Sequence, residues 1–149
     1  MRKLLKKQWI FFRMNLDFLD AHERHRGDAE LLKDGNRLAN ADHLFGISAE
    51  CGLKCLMIQF GMPMDTDKPK DRKDRVHVNE IWIRFEAYRS GHLQGINYAL
   101  PTVNPFLDWD VNQRYAHRNN FDSTRLANHR TGTELVRVLI AKAKRDGLL

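Results

Sequence analysis

The sequence predicts an all-α fold, an up-and-down bundle of four to five helices, and three observations carry that expectation. Apolar residues recur at three- and four-residue steps through several long segments, the period of one helix face. Nowhere do they alternate with polar residues long enough to mark a half-buried strand. Glycine, proline and a dense run of charge separate the segments. With 149 residues, 42% of them hydrophobic, the chain can build one core without a disulfide or a structural metal. No internal repeat is present.

The first helix is expected over residues 15–34, with Leu16, Leu19, Ala29, Leu31 and Leu32 as its apolar positions. Asp20, Glu23, Arg24, Arg26, Asp28 and Glu30 form its solvent face. Gly35 stands where a left-handed glycine ends a helix. The second helix, residues 36–60, gives the strongest signal. One stripe runs through Leu38, Ala41, Phe45, Ser48, Gly52 and Leu56, and a second through Leu44, Ile47, Cys51, Cys55 and Ile58. Apolar on two sides, it is the expected central helix. Gly46 and Gly52 lower its intrinsic helicity by about 1 kcal/mol each, which close packing against a neighbour can offset. Gly61 and Pro63 end it.

Residues 65–75 carry nine charges in eleven positions, four acids and five bases, and read as a solvated loop. A third helix is expected over residues 77–88, with Val78, Ile81, Trp82, Phe85 and Tyr88 on one face. Residues 96–109, with Pro101 and Asn104-Pro105, read as irregular because a residue before proline avoids the helical region. The last helix should start at Asp122 or Ser123, both good N-caps. Its buried side is Leu126, Leu135, Val136, Leu139, Ile140 and Ala143, and Lys142, Lys144 and Arg145 complement its C-terminal dipole.

Two regions follow: a basic N-terminal arm, residues 1–14, and a bundle domain, residues 15–149. The formal charge is +6, and the first thirteen residues hold Arg2, Lys3, Lys6, Lys7 and Arg13 without an acid. The rest is nearly neutral, which excludes a uniformly basic nucleic-acid coat and leaves only local phosphate sites. The arm can contact a partner or an anionic membrane surface. Cys51 and Cys55, one helical turn apart among apolar residues, read as buried core thiols of a cytoplasmic protein. There is no apolar run of membrane-spanning length and no signal-peptide pattern, so no integral membrane segment is expected.

Recognisable chemistry is sparse. His22 and His25 are three apart but read as solvated, with no second ligand pair, so no metal and no cofactor are expected. The nine glycines are scattered and form no phosphate-binding loop. Residues 109–130 differ. They hold Arg114, Arg118, Arg125 and Arg130 with His117 and His129, against Asp110 and Asp122. Guanidinium forks and a histidine beside a helix N-terminus suit a phosphate, and histidine exchanges protons near neutral pH. The competing expectation is that these arginines pair with acids elsewhere or face water. A second group is Glu50 and Lys54, four residues apart within the central helix; a buried Glu50 needs a further partner, either His77 or Arg114.

Ala41, His43, Leu44, Glu50, Leu53 and Lys54, with His77–Trp82 and the Trp109–Tyr115 stretch, resemble a bacterial branch of the HEPN (higher eukaryotes and prokaryotes nucleotide-binding) superfamily. The resemblance covers roughly residues 16–147. It implies a helical bundle, commonly a homodimer, that binds RNA or a nucleotide within a toxin–antitoxin or phage-defence system. It also implies a cognate antitoxin or a nucleotidyltransferase-like partner. Active relatives resemble metal-independent ribonucleases with an Arg-x4–6-His motif at the start of the last helix. This chain departs from that spacing, offering Arg125-x3-His129 and Arg114-x2-His117. Carried over, His117, His129 and Arg114 are the candidate catalytic residues, and Arg118 and Arg125 the candidate phosphate ligands. Glu50, Lys54 and His77 form a polar network. The alternative is a non-catalytic helical dimerisation or interaction module.

Overall fold

The computed structural model describes residues 14–149, so the expectations for the basic arm lie outside it apart from Met14. The described chain is all-helical. Four α-helices, α1 (Phe18–Asp34), α2 (Leu38–Gln59), α3 (Val78–Ser90) and α4 (Ser123–Arg145), are joined by loops with short 3₁₀ turns. An isolated bridge between Met64 and Pro69 is the sole strand-like pairing among the described residues.

Asp17 caps α1, its carboxylate accepting from the Asp20 N–H at 2.9 Å, so the helix starts three residues later than the sequence suggests. Its end corrects another expectation. Gly35 keeps an ordinary φ of −82°, and Asn36 takes the left-handed conformation at φ 57°. The Asn36 N–H reaches the Lys33 carbonyl and the Arg37 N–H the Leu32 carbonyl, the paired bonds of a Schellman turn. Asparagine tolerates that conformation better than most residues. The turn is tight enough that α2 begins immediately, with Arg37 at its cap.

α2 lies at the centre and packs against the other three helices. Phe45, Leu53, Leu56 and Met57 are wholly buried, each contributing about 1.5–3 kcal/mol. Both of its glycines mark close approaches. A Cβ on Gly46 would lie 2.1 Å from Trp109 Nε1, and one on Gly52 would lie 2.5 Å from Val136 Cγ1 on α4. His22 of α1 also faces Gly52, so it is buried rather than solvated. Its Nδ1 donates to the Ser48 carbonyl at 2.9 Å, while Nε2 is buried without a partner. Burial lowers its proton affinity, against the Ser48 bond that raises it. Leu31 of α1, expected inside, is exposed.

α1 runs antiparallel to α2, but α3 does not alternate in turn. Glu50 meets His77 at the start of α3, and Phe60 meets Phe85 near its end. α3 therefore runs in the same sense as α2, and the strict up-and-down order fails. Residues 60–77 are long enough to cross back. This crossing contains the charged run, which is anchored rather than merely solvated: Asp74 is fully buried and accepts from Arg84 Nε at 2.8 Å and Tyr88 OH at 2.6 Å. The irregular stretch before α4 contributes two of the largest buried side chains, Phe106 and Trp109.

The Gly46–Trp109 contact makes a paired prediction. Gly46→Ala should lower unfolding free energy by about 1–3 kcal/mol, because an overpacked core must shift. Gly27→Ala, where an added Cβ meets nothing within 4 Å, should raise it by about 0.5–1 kcal/mol. Urea denaturation measures both; a Gly46→Ala variant as stable as the parent contradicts the packing described.

Candidate functional site

Asp42, in the second turn of α2, is fully buried, and its carboxylate organises the surrounding side chains. It accepts from His129 Nδ1 at 2.6 Å, Gln113 Nε2 at 2.7 Å and Arg125 Nε at 3.3 Å. The opposite ring nitrogen, His129 Nε2, donates to Asp108 Oδ1 at 2.8 Å. Arg125 also reaches Asp108 Oδ2 at 3.1 Å, the Asp108 carbonyl at 2.7 Å and Gln113 Oε1 at 2.9 Å. Burial pushes the Asp108 carboxyl up, but the His129 bond and the charges of His129 and Arg125 outweigh it and hold it below the usual range.

This arrangement places two of the expected site residues together and closes them off. His129 is fully buried, stacks on Phe106, and has both ring nitrogens occupied. Arg125 spends its guanidinium on two carboxylates, a carbonyl and an amide. Arg130 pairs with Glu30 at 2.6 Å. For these residues the expectation of acids supplied from elsewhere holds: both His129 ring nitrogens are taken, and Arg125, its side chain 22% exposed, commits four hydrogen bonds to Asp42, Asp108 and Gln113.

Arg114 and Arg118 are different. Both are exposed, and neither has a carboxylate partner among the described residues. They face the start of α2 across a pocket of ≈ 290 Å³ that Asn36, Arg37, Asn40 and Gln113 also line. Arg37 has no acid partner among the described residues either, and residues 1–13 contain no acid to supply one. The first turn of α2 holds no acid, and its N-terminus has no side-chain cap, so its free N–H groups keep their partial positive charge. A capping box fixes the opposite wall: Asp110 accepts from the Asn112 N–H and Gln113 Oε1 accepts from the Asp110 N–H. Arg114 lies over the Tyr115 ring at 4.8 Å, and that ring is 77% exposed. His117 is exposed nearby; its Nδ1 accepts the Asn119 N–H at 3.2 Å and caps a 3₁₀ turn.

The Glu50 group forms as a network, with His77 as the partner that the sequence left open. Glu50 is buried and accepts from Lys54 Nζ at 2.7 Å and His77 Nδ1 at 3.0 Å. Burial raises the Glu50 carboxyl, and the His77 and Lys54 bonds and charges outweigh it, so it titrates low. The same bond raises the proton affinity of His77, opposed by burial, Lys54 and Arg114. Across the Trp109 indole stands His43, stacked at 5.4 Å and lowered by burial and by Arg114. Burial pushes the Cys51 thiol up to about 12 and Cys55 up to about 11, so both are inert, although only Cys55 is buried in the core and Cys51 is partly exposed. No group of metal-ligating side chains forms among the described residues.

Sequence reasoning missed Asp42, Asp108 and Arg37, and singled out His43 only for the resemblance it helps to carry. Asp42 had a readable signal, an acid one step beside Ala41 on a face otherwise made of Leu38, Phe45 and Ala49. Asp108 and Arg37 had none, since loop geometry alone brings them in. Comparison with protein-family models, curated proteins and solved structures gives no match.

Asp42→Asn should cost about 3–5 kcal/mol of stability, because it leaves the buried His129 and the partly buried Arg125 facing an amide in place of a charge. Asp108→Asn should cost less, since that side chain is 63% exposed. Chemical denaturation of the two variants checks the order; equal losses contradict it.

Proposed function

We propose that this chain is an RNA- or nucleotide-binding protein that takes a phosphate in the pocket between the start of α2 and the Arg114–Arg118 segment. One observation carries the reading: Arg37, Arg114 and Arg118 surround an uncapped helix N-terminus with no carboxylate to neutralise them among the described residues. Guanidinium forks match phosphate oxygens, and helix N–H groups favour an anion. The exposed Tyr115 ring beside them offers a face on which a base can stack. The resemblance to HEPN proteins supports the RNA side of the reading and a place in a toxin–antitoxin or phage-defence system, with an antitoxin or nucleotidyltransferase-like partner.

A specific feature favours a second reading, the non-catalytic dimerisation or interaction module. Ile83, Leu93, Ile96 and Val103 are each more than 70% exposed, and Ile83 lines a groove of ≈ 460 Å³ between α3 and Leu100-Pro101.

Fluorescence anisotropy with a labelled single-stranded oligoribonucleotide separates the two. Arg114→Glu/Arg118→Glu should weaken binding at least about tenfold. With three phosphate contacts, log K for the parent should fall with log salt at a slope of about −2. An unchanged affinity overturns the phosphate reading. A concentration-dependent dimer that Ile83→Asp dissolves, in a protein that binds no RNA, supports the second.

A further inference from the structure

We propose that the pocket at the start of α2 selects a phosphomonoester, at the end of a strand or on a free nucleotide, over the phosphodiesters within a strand. The proposal rests on the phosphate-binding reading above and narrows it to one chemical group. A phosphomonoester carries a charge of about −1.5 to −2 at pH 7 and presents three terminal oxygens. A phosphodiester carries a single charge and presents two. First, the donors match three oxygens. Arg37, Arg114 and Arg118 each bring an exposed guanidinium to the pocket. The first backbone bond of α2 runs from the Ala41 N–H to the Arg37 carbonyl, so the N–H groups of Leu38, Ala39 and Asn40 stay open on the same wall. A guanidinium fork grips phosphate oxygens with paired bonds, and three forks serve three oxygens.

Second, the charge exceeds what a diester can meet. No carboxylate lines the pocket, and the first turn of α2 carries no acid. Three guanidiniums therefore share one small space, where a single negative charge leaves most of their repulsion in place. A dianion offsets more of it, and each added unit of ligand charge is attracted by all three.

Third, among the described residues this charge is an island and not a track. A protein that grips the interior of a strand lines a groove with cations that follow the backbone. Here the neighbouring cations are taken: Lys33 by Asp34 at 2.6 Å, Arg130 by Glu30 at 2.6 Å, and Arg125 by Asp42 and Asp108. The bases Lys68, Lys70, Arg72 and Lys73 belong to the opposite end of the bundle. Asp74 ties their loop to Arg84 and Tyr88 of α3, and Phe85 meets Phe60 just past the end of α2. With 22 residues, α2 is about 33 Å long and separates the two clusters. The pocket of ≈ 290 Å³ has the volume of about ten waters, enough for one phosphate and its sugar. The exposed Tyr115 ring beside Arg114 then receives the attached base.

The test measures anisotropy of the full chain with one internally labelled oligoribonucleotide made in three forms: 5′-phosphate, 3′-phosphate, and hydroxyl at both ends. A phosphate at one end should tighten binding at least about tenfold over the hydroxyl form. Arg114→Gln and Arg118→Gln should each shrink that ratio below about threefold. Lys70→Gln, which removes one charge at the opposite end of the bundle, should leave the ratio unchanged. A nucleoside 5′-monophosphate, added as competitor, distinguishes the two sources. Displacement by it assigns the pocket to a free nucleotide, displacement only by a phosphorylated strand assigns it to a strand end, and either supports the proposal. Equal binding of all three forms, a ratio that survives both arginine variants, or an equal loss in Lys70→Gln overturns the proposal and leaves the phosphate reading standing. Failure of all three forms to bind overturns both.

Discussion

A carboxylate buried near the start of the central helix governs how the rest of this molecule is arranged. Asp42 has no water to solvate it, and an unpaired buried charge is too costly to keep. It therefore draws in His129 and Arg125 from α4 and Gln113 from the preceding loop. Its own backbone carbonyl accepts the Trp109 indole N–H at 3.3 Å. These bonds tie α2, α4 and the long irregular connection together at one point. Gly46 completes the arrangement by leaving room for Trp109 against the helix backbone. Once the connection is fixed there, Arg114 and Arg118 stand opposite the free end of α2.

The same constraint sorts the charge. The four arginines of residues 114–130 share a sequence neighbourhood and part company in space. Arg125 and Arg130 meet acids far away in the chain, Asp42, Asp108 and Glu30, and become part of the framework. Arg114 and Arg118 sit on a loop held by its own capping box, too far from those acids to be neutralised. Arg37 reaches the same pocket through the left-handed Asn36, which turns the chain tightly enough to place the start of α2 there. The positive surface is thus a residue of pairing elsewhere, and the chain's overall basicity does not predict its position.

Much of the fold is legible in the sequence, because helical period is a local property. The two apolar stripes of α2 identify the central helix, and its glycines signal close approach; Asp122 marks the start of α4 by capping chemistry alone. The sense of α3 was not legible, since it depends on how far residues 60–77 travel. Local pattern also misplaced His22, whose charged neighbours suggest solvent while its contact with Gly52 and Ser48 buries it. The Glu50–His77 pair was legible in part: a buried acid demands a partner, and the sequence offered two. The Asp42 network was not, because Asp108, Gln113 and His129 converge through tertiary structure that no spacing encodes.

The central claim is that His129 and Arg125 are framework, and that the ligand-facing charge is Arg37, Arg114 and Arg118. Heteronuclear NMR of the labelled protein, titrated with a 2′-O-methylated oligoribonucleotide, tests it most directly. The account predicts that backbone resonances of residues 36–40 and 114–118 move while the His129 imidazole signals stay fixed. A titration that moves the His129 ring and leaves Arg114 and Arg118 unchanged contradicts it.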